Sequence, residues 1–164
     1  MPAGTTTLSI DAMGGDHAPQ VALEGAERFL RERGDVRFVV YGDAERIAPL
    51  MRRLPRLQEA AEVRHTAEVV ADNAKPTAAL RQARGSSMRL AVEAVRDGEV
   101  DAAVSAGNTG ALMAMAKVLL RTLPGIDRPA IASVMPAAQR PVVILDLGAN
   151  AECDATNLVQ FALM

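Results

Sequence analysis

Short apolar runs and amphipathic stretches alternate along the chain. Residues 7–11 (Thr-Leu-Ser-Ile-Asp) predict a strand. Pro19 opens a helix that brings Ala22, Ala26, Phe29 and Leu30 to one face. A valine-rich run over 36–41 predicts a second strand, 44–54 a helix with basic residues outside, and 61–66 a third strand. Residues 72–79 read as a loop leading into a helical turn. Ser86 and Ser87 then precede an amphipathic helix in which Met88, Ala91, Val92 and Val95 follow the i, i+3, i+4, i+7 rule, with Gly98 as its stop. Residues 101–105 predict a short buried strand, and 108–121 a helix apolar nearly all round and therefore buried. Strands over 130–135 and 142–146, joined through a short link, predict an antiparallel pair.

Strands alternating with helices predict an α/β fold with a parallel or mixed sheet covered on both faces. No repeat, low-complexity segment or Pro/Gly/Ser linker divides the 164 residues, so a single α/β domain over 1–164 is expected. The chain finishes on Phe161-Ala162-Leu163-Met164, apolar and helix-like without a closing cap. That ending reads as the N-terminal portion of a longer chain.

One pattern recurs where chemistry is expected. An apolar strand runs into a short polar loop with glycine. It occurs at Asp11-Ala12-Met13-Gly14-Gly15-Asp16-His17, at Tyr41-Gly42-Asp43, at Ser105-Ala106-Gly107-Asn108-Thr109-Gly110, and at Asp146-Leu147-Gly148-Ala149-Asn150. In open α/β sheets the carboxyl ends of the strands form the ligand crevice. Glycine lets backbone approach a ligand closely, and free N–H groups at a following helix start favour an anion. Ser86 and Ser87 have two readings, a helix cap or part of a phosphate cradle, and composition favours the cap. His17 also has two, acid–base work near neutral pH or a hydrogen bond within its turn. His65, in a strand-like stretch, reads as structural.

Composition narrows the field. The formal net charge of -2 gives no strong nucleic-acid or membrane field. Only 2% of residues are aromatic, against base stacking on single strands. One cysteine, Cys153, cannot form an internal disulfide and fits a reducing cytosol. The start of the chain lacks the basic and apolar regions of a secretory signal, and no apolar run approaches the ~20 residues of a membrane span. G-x-G-x-x-G, G-x-x-x-x-G-K-[ST], G-x-S-x-G and Cys/His metal spacings are all missing. The sequence therefore calls for no cofactor and no metal.

The loops also carry a resemblance. Asp11-Ala12-Met13-Gly14-Gly15-Asp16-His17-Ala18-Pro19 resembles the opening motif of the phosphate acyltransferases of bacterial phospholipid synthesis. Arg84-Gly85-Ser86-Ser87-Met88, then Val104-Ser105-Ala106-Gly107-Asn108-Thr109-Gly110-Ala111-Leu112-Met113-Ala114, resemble the next two blocks. Asp146-Leu147-Gly148-Ala149-Asn150 with Asn157-Leu158-Val159-Gln160-Phe161-Ala162 resembles a fourth. The blocks keep the family's order over nearly the whole chain. The segment before the serines, Arg81-Gln82-Ala83-Arg84-Gly85, carries less lysine than the family usually does.

The resemblance implies a three-layer α/β/α sandwich with a mostly parallel, mixed sheet, related to isopropylmalate dehydrogenases and phosphotransacetylases. It implies acyl transfer from acyl carrier protein to inorganic phosphate, the acyl phosphate then feeding a membrane glycerol-3-phosphate acyltransferase. It implies a homodimer much longer than this chain, cytoplasmic or peripherally membrane-associated. At the matching positions, backbone near Gly107 and Gly110 with Ser86, Ser87 and Thr109 is expected to hold phosphate. Asn108 and Asn150 are expected to bond phosphate or an oxyanion, and Asp11, Asp16 and Asp146 to orient donors. His17 is expected to move a proton, with Gly14, Gly15 and Ser105 completing the site. Two alternatives stay open, a phosphotransacetylase acting on acyl-coenzyme A and a non-catalytic domain binding a phosphorylated metabolite.

Overall fold

The segments expected from the pattern take shape in a computed structural model that describes residues 5–148, 150 and 152–164. The readings on Met1–Gly4 and on Ala149 lie outside the described residues. Strands β1 (Thr6–Asp11), β2 (Val36–Gly42), β3 (Ala61–His65) and β4 (Ala102–Ser105) form a parallel sheet in the order β3-β2-β1-β4. Parallel neighbours need crossovers, and helices supply them. Helix α1 (Gln20–Glu32) links β1 to β2, while α2 (Ala44–Met51) and α3 (Pro55–Ala60) link β2 to β3. Helices α4 (Pro76–Gln82) and α5 (Ser87–Arg96) link β3 to β4, and α6 (Thr109–Leu119) follows β4.

The central strand shows why the layers form. Side chains alternate across a strand. On β2, Phe38 and Val40 pack with Leu23, Ala26 and Leu30 of α1, Ile47 of α2 and Leu57 of α3. Val39 and Tyr41 pack on the opposite side with Ala91 and Ala94 of α5 and with Val100. A strand covered on both faces reads as one continuous apolar run, as 38–41 does. Helix, sheet and helix make the expected three-layer sandwich. The buried Glu27 of α1 is partnered through Oε2, which accepts the Leu57 N–H at 2.9 Å and so closes the start of α3.

Contacts divide the chain into two compact units, residues 1–120 and 121–164, where the sequence pattern drew a single domain. Pro124, Gly125 and Pro129 follow that division closely. The second unit pairs β5 (Ala132–Met135) with β6 (Val142–Leu145) antiparallel, as expected from their short link, and adds α7 (Ala155–Leu163). Among the described residues the parallel and antiparallel pairings therefore belong to separate sheets rather than one mixed sheet.

Four local readings are corrected. The buried face of α1 centres on Leu23, Ala26 and Leu30, and Phe29 is turned off it at 40% exposure. The helix expected over 44–54 stops at Met51 because Pro55 disfavours helical backbone at Leu54 and starts a new helix of its own. β4 is not buried: among the described residues it pairs with β1 alone, and Val104 stays 52% exposed. α6 buries only Ala111 and Met115. It packs against α4 and α5, leaving Val118 in the open.

Leu23 has no exposed surface. Leu23→Ala is expected to destabilise the chain by about 2–5 kcal/mol in urea unfolding. Val21→Ala, at a position 57% exposed, is expected to lie within about 0.5 kcal/mol of wild type.

Candidate functional site

After β1 the chain winds toward β2 and β3, and β4 is added on the other side of β1. The winding direction thus reverses between β1 and β4, and such a switch point is where open parallel sheets bind ligands. The loops leaving these two strands are the first and third glycine loops of the sequence.

Asp11 ends β1 beside its register partner Ser105, the last residue of β4. Asp11 is 2% exposed. Oδ2 accepts the Ser105 hydroxyl at 2.6 Å, and Oδ1 accepts the Ser87 hydroxyl at 2.6 Å and the Met13 N–H at 3.2 Å. A carboxylate taken from water without such donors is strongly unfavourable. Ser87, itself buried, opens α5, so one side chain ties two strand ends to a helix start.

The two loops touch through backbone. A Cβ on Gly14 would lie 2.6 Å from Asp11 Oδ2 and 2.7 Å from the Gly107 nitrogen. Gly15 has φ +94°, in the region that favours glycine. Ser105 Oγ, whose proton goes to Asp11, accepts the Gly107 N–H at 3.1 Å. Asp11, Gly14, Gly15, Ser87, Ser105 and Gly107 are thus brought together. Exposed Asp16 and His17 line, with Asp11, a cavity of about 540 Å³ whose remaining wall is mainly apolar, including Leu8, Phe29 and Val104.

Other expected residues serve different ends. Ser86 is fully buried and caps α5: its Oγ accepts the Arg89 N–H at 3.3 Å and donates to the Ala83 carbonyl at 2.9 Å. Asn108 caps α6 with Oδ1 accepting the Ala111 N–H at 2.9 Å. Its Nδ2 donates to the carbonyls of Asp72 at 2.8 Å, Ala74 at 2.9 Å and Ala71 at 3.3 Å. The amide therefore fastens the loop after β3 to the loop after β4. Thr109 and Gly110 begin α6, and Thr109 is exposed. Residue pattern shows a capping residue, but not that both ends of its side chain are occupied.

Asp146 and Asn150 lie in the second unit. Asp146 has φ 60°, and its Oδ1 accepts from Asn150 Nδ2 at 2.8 Å. The same Nδ2 donates to the Pro129 carbonyl at 3.3 Å. Cys153 Sγ donates to Asp146 Oδ2 at 3.4 Å. Desolvation of the thiolate, then the hydrogen bond and charge of Asp146, push the Cys153 thiol above its ordinary value.

Sequence reasoning passed over Thr66 and Glu68. The Thr66 hydroxyl donates to the Gly85 carbonyl at 2.6 Å, and Glu68 Oε2 accepts the Gly85 N–H at 2.9 Å. Neither residue sits in a glycine loop, and nothing in the pattern of 66–68 marks a contact across 17 residues or more.

A parallel sheet with two glycine loops meeting over a buried carboxylate at its switch point defines an α/β protein with a crevice at its strand ends. The family described as "Fatty acid synthesis protein" matches residues 6–164, and the chain belongs to it. It is 58% identical over 158 residues to the Phosphate acyltransferase of Rhodospirillum centenum, covering 96% of this chain and 44% of that protein. It is 52% identical over 162 residues to the Phosphate acyltransferase of Rhodospirillum rubrum, covering 99% and 46%. With the Phosphate acyltransferase of Shewanella putrefaciens it shares 54% over 160 residues, covering 96% and 47%. The chain thus spans less than half the length of these curated relatives.

The Asp11 node and the Cys153 contact each give a measurable expectation. Removing the Ser87 hydroxyl (Ser87→Ala) is expected to destabilise the chain by about 1.5–3 kcal/mol, the range for a hydrogen bond to a charged group. In a double-mutant cycle with Asp11→Ala the two changes are expected to be non-additive, as for contacting residues. Gly14→Ala is expected to destabilise as well, because the intruded atoms include backbone of Gly107. For Cys153, the raised thiol leaves less thiolate near neutrality, so alkylation by iodoacetamide is expected to climb over a higher pH range than for a free thiol. Asp146→Asn is expected to move that profile toward lower pH.

Proposed function

We propose that this chain carries the N-terminal part of the machinery that transfers a fatty acyl group from acyl carrier protein to inorganic phosphate, giving an acyl phosphate for phospholipid synthesis. The observation that supports this best is the meeting of the Gly14 and Gly107 backbones over the buried Asp11 at the sheet's switch point. Membership of the family and the name Phosphate acyltransferase carried by its relatives support the same reading.

A thioester is already activated, so no covalent enzyme intermediate is needed. One oxygen of hydrogen phosphate forms a bond to the carbonyl carbon, the carbon–sulfur bond breaks, and the phosphate proton goes to the departing sulfur. The protein's task is to hold phosphate, align it and stabilise the oxyanion. The hydroxyl protons of Ser86, Ser87 and Ser105 are engaged by Ala83 and Asp11, so these serines build the floor rather than donate to phosphate. Donors for the anion then come from backbone of the Gly14–Gly15 loop, from the α6 start at Thr109 and Gly110, and from the exposed Thr109 hydroxyl. His17 at the cavity wall serves as the proton carrier, with Asp16 beside it in the loop. Asn108 acts as a positioning residue.

Acyl carrier protein is the donor in this reading, and the acyl phosphate passes to a membrane glycerol-3-phosphate acyltransferase. The working unit is a homodimer of the relatives' length, cytoplasmic or peripherally bound to membrane. Among the described residues no helix is long and apolar enough to cross a membrane.

The test is release of free thiol from palmitoyl-acyl carrier protein, with and without phosphate, by this chain and by a protein of the relatives' length. The longer protein is expected to release thiol only when phosphate is present, and more slowly after His17→Ala. Equal turnover of palmitoyl-coenzyme A would redirect the reading to a phosphotransacetylase. Inertness of the longer protein with both donors would end it.

A further inference from the structure

We propose that Glu68 is a positioning residue of this site, holding the Ser87 hydroxyl on Asp11 by clamping Gly85. The catalytic consequence rests on the acyltransferase reading; the positioning itself does not.

Three contacts tie the strand-end segment 66–68 to the approach to α5. Glu68 Oε2 accepts the Gly85 N–H at 2.9 Å. The Glu68 carbonyl accepts the Ser87 N–H at 3.1 Å. The Thr66 hydroxyl donates to the Gly85 carbonyl at 2.6 Å, and its oxygen accepts the Glu68 N–H at 3.2 Å. Ser87 opens a helix, so its N–H has no acceptor within α5, and the Glu68 carbonyl fills that need. Gly85 is shaped to the clamp: a Cβ there would lie 2.6 Å from Glu68 Oε2. The carboxylate occupies the space that a side chain would take.

The clamp acts on a short lever. Gly85 is two residues from Ser87, and Ser86 between them is immobilised by the Ala83 carbonyl and the Arg89 N–H. Backbone from 85 to 87 is therefore held at three consecutive residues. The Ser87 hydroxyl it carries lies at 2.6 Å from Asp11 Oδ1. Site geometry of this kind tolerates displacements of only about 0.5 Å. Without the Glu68 carboxylate the Gly85 N–H is freed and its residue is held through the carbonyl alone, so the backbone of 85–87 shifts by a fraction of an ångström and the Ser87 hydroxyl contact with Asp11 lengthens.

The variants are Glu68→Ala, Glu68→Gln and Glu68→Asp. Gln keeps an oxygen at the same reach for the Gly85 N–H, whereas Asp keeps the charge but is one methylene short. The first readout, on this chain, is the 13Cγ resonance of Asp11 together with exchange of the Gly85 amide. Glu68→Ala and Glu68→Asp are expected to shift the Asp11 resonance and to speed Gly85 exchange about tenfold. Glu68→Gln is expected to restore both. A staple that merely stabilises the loop lowers the unfolding midpoint without moving the Asp11 resonance. The second readout is phosphate-dependent thiol release by a protein of the relatives' length. There Glu68→Ala is expected to lower kcat/KM for phosphate by roughly 10- to 100-fold. Glu68→Gln is expected to recover most of that loss.

An unmoved Asp11 resonance in folded Glu68→Ala and in Glu68→Asp would overturn the proposal. So would full activity of Glu68→Ala beside an active wild type. Absence of phosphate-dependent release in wild type would sink the acyltransferase reading alone, because the Asp11 resonance still decides Glu68.

Discussion

The buried carboxylate of Asp11 is the constraint on which the first unit's ligand end depends. It joins residues 76 and 94 positions apart through two short hydroxyl contacts. A carboxylate without a proton has nothing to donate, so both serines must point their hydrogens at it. That fixes which way their lone pairs face. Ser105 uses one to accept the Gly107 N–H, so the order imposed at Asp11 passes into the loop that begins α6. The acceptors of the crevice floor are thus already engaged, and in the proposed reading the anion is left to backbone N–H groups and to Thr109.

The Asp11 floor would be of little use if the two loops above it stood apart. They do not, because Gly14 and Gly107 carry no side chains. A Cβ on either residue would come within 3.2 Å of the other's backbone. Parallel strands lie about 4.7–4.9 Å apart, and glycine lets the loops that leave them keep close to that spacing. Gly15, at φ +94°, then turns the chain away toward α1. Asn108 extends the same logic outward. One amide caps α6 and collects the carbonyls of Ala71, Asp72 and Ala74, so the loop after β3 is tied to the loop after β4 although β3 and β4 lie at opposite ends of the sheet order.

The sandwich was legible because burial on both faces leaves a periodic trace. Phe38 to Tyr41 reads as one apolar run since alternate residues serve two layers, and Met88 to Val95 shows one helical stripe. Periodicity says nothing about what lies beyond an element, and the overstatements of burial at β4 and α6 both come from that. Val104 and Val118 are apolar like core residues, yet β4 is paired on one side and α6 touches its neighbours along a narrow strip. The site was legible as a set of loops, because glycine and short polar residues after a strand have few other uses. The direction of each side chain was not. Ser86 and Ser87 are adjacent and identical, but one faces the Ala83 carbonyl and the other Asp11, a split decided by the helix start between them. Glu68 left no trace at all, since its partner is a backbone N–H, and every residue but proline offers one.

These features bear on what kind of catalysis the crevice suits. Enzymes that attack through a side chain need a nucleophile whose proton can leave, next to a base. Ser87 and Ser105 do have a carboxylate beside them, but it is buried and shared among three donors, which pins both hydroxyls in place. Cys153 is no better suited, because desolvation and then the neighbouring Asp146 oppose thiolate formation. What the arrangement supplies instead is rigidity, with polar groups of the floor already paired and backbone brought close by glycine. A reaction in which both partners arrive activated, phosphate as nucleophile and thioester as acyl donor, asks for that and little more. In the proposed reaction the exposed His17 at the cavity wall is left the task that rigidity cannot perform, carrying a proton to the departing sulfur.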